Sequence, residues 1–331
     1  MDLTKRFAEL LLDHRTARGQ SQEELAAKAG LDRSFVGQLE RGEKSPTLET
    51  LAKIAQALDV APAMLVQVVG PARRTVSLAK DYVVRRDHAI AVRRASGEVT
   101  VKISTLLEAV EITHQLIDQI YDIDFDIAAA LGPRNLSGFV GELVAAAAIK
   151  ASGGTFKRNP HQDGYPDLLL MDKSGLEAWR LLSERLDEKK PFSPFPGGGI
   201  EVKATCGAVP TPAQCRARKL RKPKLGETRI GMMTGYDWKA HHRETNNLVG
   251  VLWDFVEGRP RIVAMFYSSA LEIDDWGKIV QPRDGGGRTT SISMMTKDGI
   301  RKMYEGWICV MKEGGYVEFL DKRNRGSLMR S

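Results

Sequence analysis

The chain has 331 residues, 42% of them hydrophobic, a length that suits two domains and a composition that supports a sizeable core. No run approaches the ~20 consecutive apolar residues of a membrane-spanning helix, and MDLTKRFAELLLDHR at the N-terminus does not read as a signal peptide, so a cytoplasmic protein with no membrane partner is expected. The formal net charge is +7, with nine Lys/Arg against ten Asp/Glu in residues 1–70, so the basic excess lies beyond them and favours nucleic acid as a partner.

Residues 3–18 have helical periodicity, with Leu3, Phe7, Leu10 and Leu11 on one side and Gly19 as the stop. Ser21 and Glu24 have capping-box spacing, and Gly30 ends the helix they open. A third helix follows Asp32 as N-cap, a fourth starts at Pro46 and Thr47, and APAMLVQV makes a short fifth. Two short helices with a tight Gly30–Leu31 turn between them can set the second across a DNA major groove.

The run SQEELAAKAGLDRSFVGQLERGEKSPTLETLAKIAQAL, within residues 1–70, resembles the Cro/lambda-repressor (XRE-type) helix-turn-helix family. That resemblance implies that Arg33, Ser34, Gly37 and Gln38 face base edges and that Gln22 reaches a phosphate. The balanced charge of this segment, and the lack of a side chain at Gly37, favour the opposite reading, a domain that packs against protein.

Gly70 and Pro71 mark a boundary. Residues 71–102 read as a basic linker or hairpin, with short β-like runs at Tyr82–Val84 and at residues 99–103 between Arg pairs; a phosphate-tracking arm is the functional alternative. Residues 103–331 form the second domain. Its first helix, Ile103–Tyr121, has an apolar stripe that serves either as core or as a dimer surface, and His114 on it reads as structural.

A helix capped by Asn135 or Ser137 runs to Gly153, with Glu142 isolated in its apolar middle. After a turn-rich stretch, Asp167 opens a buried strand at residues 168–171. A polar helical insertion and the loop PFSPFPGGG then lead to a strand at residues 200–205, where alternation sets Glu201 and Lys203 on one face and Ile200 and Val202 on the other. Two carboxylates and an ammonium turned inward from core strands are costly unless they have a task. Mg²⁺ is suited by one or two carboxylates, with water and phosphate oxygens filling its other sites.

Pro166-Asp167 followed by Glu201-Val202-Lys203 resembles the PD-(D/E)xK nuclease family, and Glu142 on an upstream helix matches its pattern too. The resemblance implies an α+β/α/β protein: a five-helix helix-turn-helix domain plus a restriction-endonuclease-like mixed β-sheet core flanked by helices. It makes Asp167, Glu201, Lys203 and Glu142 catalytic, with Mg²⁺ held by Asp167, Glu201 and the Val202 carbonyl. The 34 positions between Asp167 and Glu201 are long for the family, a gap the helical insertion accounts for. Downstream, Arg216, Arg218, Lys219, Arg221, Lys222 and Lys224 form a basic run that reads as a solvated face or as a DNA-backbone clamp. Further strands are expected at residues 229–234, 248–255 and 261–267, and GGGR at 285–288 reads as a turn.

WKAHHRETNNL invites an HNH-nuclease reading through His241, His242 and Asn247, but no histidine follows to complete the ligand set. Three widely spaced cysteines, with no CxxC pair, argue against a disulfide framework and a structural zinc site. The whole resembles type II restriction endonucleases, including the ApaLI-like group, acting on double-stranded DNA as a homodimer. The rival expectations are a transcriptional repressor with a non-catalytic second domain, and a modification-dependent or structure-specific nuclease.

Overall fold

Ser21 and Glu24 close their capping box: the Ser21 hydroxyl accepts the Glu24 N–H at 3.1 Å, and the Glu24 carboxylate accepts the Ser21 N–H at 2.7 Å. In this computed structural model, which describes residues 3–66, 77–123, 127–161, 164–240, 243–281 and 291–324, that box starts the second of five helices in the first of two units, Met1–Arg74 and Thr75–Ser331. They are α1 (Leu3–Ala17), α2 (Gln22–Ala29), α3 (Arg33–Glu40), α4 (Leu48–Ala57) and α5 (Pro62–Leu65). Gly30 ends α2 in the left-handed region, φ 63°, where a side chain would be strained. Asp32 stands at the N-cap of α3, but its side chain caps nothing. Phe7, Leu11, Leu25, Val36, Leu39, Ile54, Leu58 and Leu65 form the core. A half-buried ion pair joins α1 to α3: Arg15 Nε and Nη2 donate to Glu40 at 2.5 and 3.1 Å.

The second unit runs α6 (Leu78–Asp81), β1 (Tyr82–Val84), β2 (Ala89–Arg94), β3 (Gly97–Lys102), α7 (Ile103–Tyr121), α8 (Ile127–Ala151), β4 (Phe156–Arg158), β5 (Leu168–Leu170), α9 (Lys173–Leu182), β6 (Gly199–Thr205), α10 (Pro212–Ala217), β7 (Lys239–Ala240), β8 (Leu248–Val256), β9 (Arg259–Ser268), β10 (Ser293–Met294), α11 (Lys297–Glu305), β11 (Trp307–Met311) and α12 (Tyr316–Arg323). Seven strands make one mixed sheet in the order β1-β11-β9-β8-β6-β5-β4. Only β6 and β8 are parallel neighbours among the described strands. β2 pairs with β3 as a separate hairpin, so residues 71–102 are in part a hairpin; residues 71–76 lie outside the described residues.

Helices cover both faces of the sheet. On one, Gly141 of α8 lies against Ala204 of β6, and the Trp253 indole N–H donates to Ser137 at 3.1 Å. On the other, Gly250 has no side chain because the Trp238 ring and Met303 of α11 fill the space: a Cβ there would stand 2.6 Å from the ring.

The apolar stripe of α7 belongs to this core. Leu106 and Val110 are buried in it and Ile117 is buried too, which decides between core and dimer surface in favour of core. The strand expected at residues 229–234 is instead a 3₁₀ turn at Ile230–Met232, because the Asp254 carboxylate takes the Arg229 and Ile230 N–H groups that a ladder would need. The helix expected to begin at Asn135 or Ser137 is entered at Ile127, but it breaks at Gly132, φ 66°, just before Pro133.

His114 is structural, as its position on α7 suggests. It is 1% exposed, and its Nε2 accepts the Ile262 N–H at 2.9 Å. Burial, with Arg261 adding to it, pushes its pKa down to about 3. The folded state therefore holds it neutral while the unfolded chain binds a proton near pH 6.5. Its contribution is present in full above that pH and is lost as pH falls toward 3, at about 1.4 kcal/mol per unit. The melting temperature of His114→Gln should fall less between pH 7 and pH 5 than that of wild type; parallel curves would remove this account.

Candidate functional site

Register brings together three residues that sequence alone could only align. Leu168 of β5 faces Ile200 of β6, which carries Asp167, just before β5, to the level of Glu201. The Asp167 N–H donates to Glu201 Oε2 at 3.2 Å, and Asp167 Oδ2 accepts the Val202 N–H at 2.8 Å. Lys203 Nζ lies 2.6 Å from Glu201 Oε1 and 3.4 Å from Asp167 Oδ2. Side-chain exposure is 4% for Glu201, 16% for Asp167 and 23% for Lys203, so Glu201 is closed off while Asp167 and Lys203 reach solvent in part.

Burial, with Asp167 adding to it, raises the Glu201 carboxyl to about 7 although Lys203 pulls it down. For Lys203 burial acts to lower the pKa, but Glu201 and Asp167 outweigh it and keep the ammonium above the ordinary lysine range.

Glu201 donates its backbone N–H to Asn247 O on the β8 side, and Val202 donates its N–H to Asp167 on the other. A strand residue sends its N–H and C=O to the same edge, so the Val202 carbonyl faces the Asp167 edge, where β5 has ended. Two carboxylates and a carbonyl make a hard-oxygen set of the kind Mg²⁺ accepts when water fills the rest, and a dication would offset the burial, and the smaller repulsion from Asp167, that raise Glu201. Among the described residues no group of three or more His, Cys, Asp or Glu side chains is placed to hold a metal ion.

Glu142 does not join them. It is exposed and ion-paired to Arg158. Its helix packs on the face that carries Ala204, and Arg158 pairs in register with Leu168, on the face of Ile200. By alternation, that face lies opposite Glu201 and Lys203.

Sequence reasoning missed the supports of the cluster. The Asn247 side chain accepts the Arg93 N–H at 2.8 Å and donates to Arg93 O at 2.6 Å. Asn246 Oδ1 accepts the Tyr165 hydroxyl at 2.8 Å, next to Pro166 and Asp167. Arg94 donates to Asp172 at 2.8 Å and packs on Gly198, at the head of β6. The Arg93 backbone thus braces the head of β8 while its guanidinium donates to Ser269 O at 3.1 Å, and Arg94 braces β6, so both side chains are engaged within the fold rather than free for phosphates. The signal was the Asn246-Asn247 doublet at the head of an apolar strand. His241 and His242 of the rejected HNH reading, and GGGR at 285–288, lie outside the described residues.

In the first unit α3 presents Arg33 and Ser34 to solvent, with Gln38 half-buried; Arg33 pairs with Glu23 at 2.6 Å. Gln22 donates to Glu40 at 2.7 Å, so its amide is engaged inside the fold. Gly37 is buried. A Cβ there would stand 3.1 Å from the Arg41 guanidinium and 3.4 Å from Gln22 Oε1, so Arg41, not residue 37, supplies the side chain at that point of the surface. In the second unit Arg216, Arg218, Lys219, Arg221, Lys222 and Lys224 are all exposed.

The capped α2, the left-handed Gly30 turn and α3 define a helix-turn-helix domain. The helix-turn-helix family model HTH_3 matches residues 11–65, and through this unit the chain belongs to that family. A 66-residue segment, 20% of this chain, is 38% identical to 86% of the uncharacterized HTH-type transcriptional regulator y4dJ of Sinorhizobium fredii. A 59-residue segment, 18% of this chain, is 41% identical to 70% of control protein C.SmaI of Serratia marcescens. Among solved structures, the restriction-modification controller protein C.AhdI from Aeromonas hydrophila is 50% identical, covering 19% of this chain and 96% of its own, with a TM-score of 0.19. Among the described residues no helix is long and apolar enough to cross a membrane.

Proposed function

We propose that this chain binds double-stranded DNA through its helix-turn-helix unit and hydrolyses DNA phosphodiester bonds in its second unit, as a Mg²⁺-dependent endonuclease of the PD-(D/E)xK type. The observation that carries the nuclease half is the convergence of Asp167, Glu201 and Lys203 on one strand edge. The regulators and control proteins matched above support the DNA-binding half. They favour a second reading, a transcriptional regulator whose second unit is not catalytic. Cutting both strands of a palindrome requires two copies, so the nuclease reading includes a homodimer.

When bound, Mg²⁺ supplies a water of lowered pKa and positive charge at the scissile phosphate. Asp167, Glu201 and the Val202 carbonyl would hold it. Lys203, kept protonated by its two carboxylates, offsets charge on the phosphate or orients the attacking water. Plasmid incubated with the full chain, with and without Mg²⁺, tests this: linear product only with Mg²⁺ supports the nuclease, nicked circles alone exclude the double-strand reading, and intact plasmid leaves the regulator. The DNA-reading half has its own test. A bidentate base contact is worth ~1–3 kcal/mol of discrimination, so Arg33→Ala with Gln38→Ala should lower affinity for a selected operator by at least tenfold, read by gel shift. Unchanged affinity would remove α3 as the reader.

A further inference from the structure

Residues 206–235, which carry the basic run, leave the C-terminal end of β6 and return across a closed root. Ala208 donates to Gly235 O at 2.7 Å, Thr234 donates to Ala208 O at 2.8 Å, and Arg229 Nη2 donates to Gly207 O at 3.1 Å. Beneath them lies Asp254 of β8, 0% exposed. Its carboxylate accepts the N–H groups of Arg229 at 2.9 Å, Ile230 at 3.0 Å and Phe255 at 2.8 Å, and the hydroxyls of Thr228 at 3.1 Å and Tyr316 at 2.9 Å. A buried carboxylate costs several kcal/mol unless its lone pairs are satisfied. Three of these donors come from the excursion, so satisfying Asp254 and fixing the root are one event.

The six cations lie along the chain between the two sides of that root, all exposed. Among the described residues only Arg221 of the six is ion-paired, to Glu227 at 2.9 Å. The four-residue step from Glu201 to Thr205 spans roughly 13 Å at ~3.3 Å per residue, about four base steps of B-DNA.

We propose that residues 206–235 form a buttressed DNA-backbone clamp in which Asp254 is a positioning residue, holding Arg216, Arg218, Lys219, Lys222 and Lys224 as a preordered row for phosphates. This rests on the reading that the second unit acts on DNA. A row fixed in advance loses less conformational freedom on binding than a free loop.

The test uses the full chain, a random-sequence 24-base-pair duplex and EDTA, reading binding against KCl concentration. Arg216→Gln with Arg218→Gln and Lys219→Gln should lower the log–log salt slope by up to about 2.7, at ~0.9 for each phosphate left without its cation. Asp254→Asn is the sharper variant. Removing a negative charge would by electrostatics alone tighten binding, whereas the clamp requires weaker binding and a smaller slope with every basic residue present. If Asp254→Asn does not melt cooperatively, Thr228→Val with Tyr316→Phe loosens the root at constant charge and takes its place. An unchanged slope in the triple variant, or wild-type binding by a folded root variant, overturns the proposal. Because EDTA removes cleavage from the measurement, a wild type that never cuts with Mg²⁺ ends the nuclease reading and leaves these slopes standing, and unchanged slopes in a cutting enzyme end the clamp alone.

Discussion

Asp167→Ala and Glu201→Ala are each expected to lower Mg²⁺-dependent plasmid cleavage by about 10³-fold or more, roughly 4 kcal/mol of transition-state stabilisation, while duplex affinity in EDTA changes by less than about threefold. Each carboxylate accepts a neighbouring backbone N–H, Asp167 that of Val202 and Glu201 that of Asp167, and in the proposed nuclease both have the task of holding metal rather than DNA. Lys203→Ala should be nearly as damaging. Glu201→Gln separates chemistry from folding, because an amide oxygen can still accept from Lys203 or Asp167. The raised Glu201 carboxyl contributes stability that is present below about pH 4.5 and lost as pH rises through about 7. At pH 8 the glutamine variant should therefore still melt cooperatively, with Asp167 left as the counter-charge of Lys203, yet fail to cut. Wild-type cleavage by either alanine variant would show that these carboxylates are an ion-pair cluster and nothing more.

Glu40→Ala is expected to unfold the first unit. The Glu40 side chain is 4% exposed and accepts from both Arg15 and Gln22. Its loss leaves the Arg15 guanidinium, 12% exposed, with the Gln20 carbonyl and only the weaker attraction of Glu23. Breaking a fully buried pair from one side costs about 3–5 kcal/mol, and even the lower end of that range is a large share of what a small helical domain has to spare. Calorimetry of the full chain should lose one transition and keep that of the second unit, and gel shifts on a selected operator should vanish. A first transition that survives within a few degrees would mean that the pair is dispensable.

The first unit was legible because its signals are local. Ser21 to Glu24 and the Gly30 stop lie within one helix, and both appear at the expected residues. The strands at 248–255 and 261–267 were legible from apolar runs that burial on both faces requires. Other features depended on partners distant in sequence. The turn at residues 230–232 exists because Asp254 competes for its N–H groups. The faces of α8 and β6 separate Glu142 from Glu201 although spacing alone aligns them. Arg93 and Arg94 read as solvated or DNA-facing until the Ser269 carbonyl and Asp172 claimed their guanidinium groups. β4, β11, α11 and α12 had no assignment, being short strands and helices whose patterns are too brief to separate from loop.

The parallel pairing of β6 with β8 also orders events in time. Parallel neighbours cannot be joined by a tight turn, and here the chain travels from Thr205 to Leu248 before the strands can meet. Asp167 must likewise wait for the insertion through α9 to be made before β6 exists to receive it. Such long-range closures are slow, whereas five helices with local contacts form quickly. At ~5–20 residues per second, synthesis of the chain beyond residue 66 takes on the order of 10–50 s. Every newly made molecule thus passes through an interval in which its helix-turn-helix unit is complete while Asp167, Glu201 and Lys203 are still apart, so the ability to hold DNA precedes whatever chemistry those three perform.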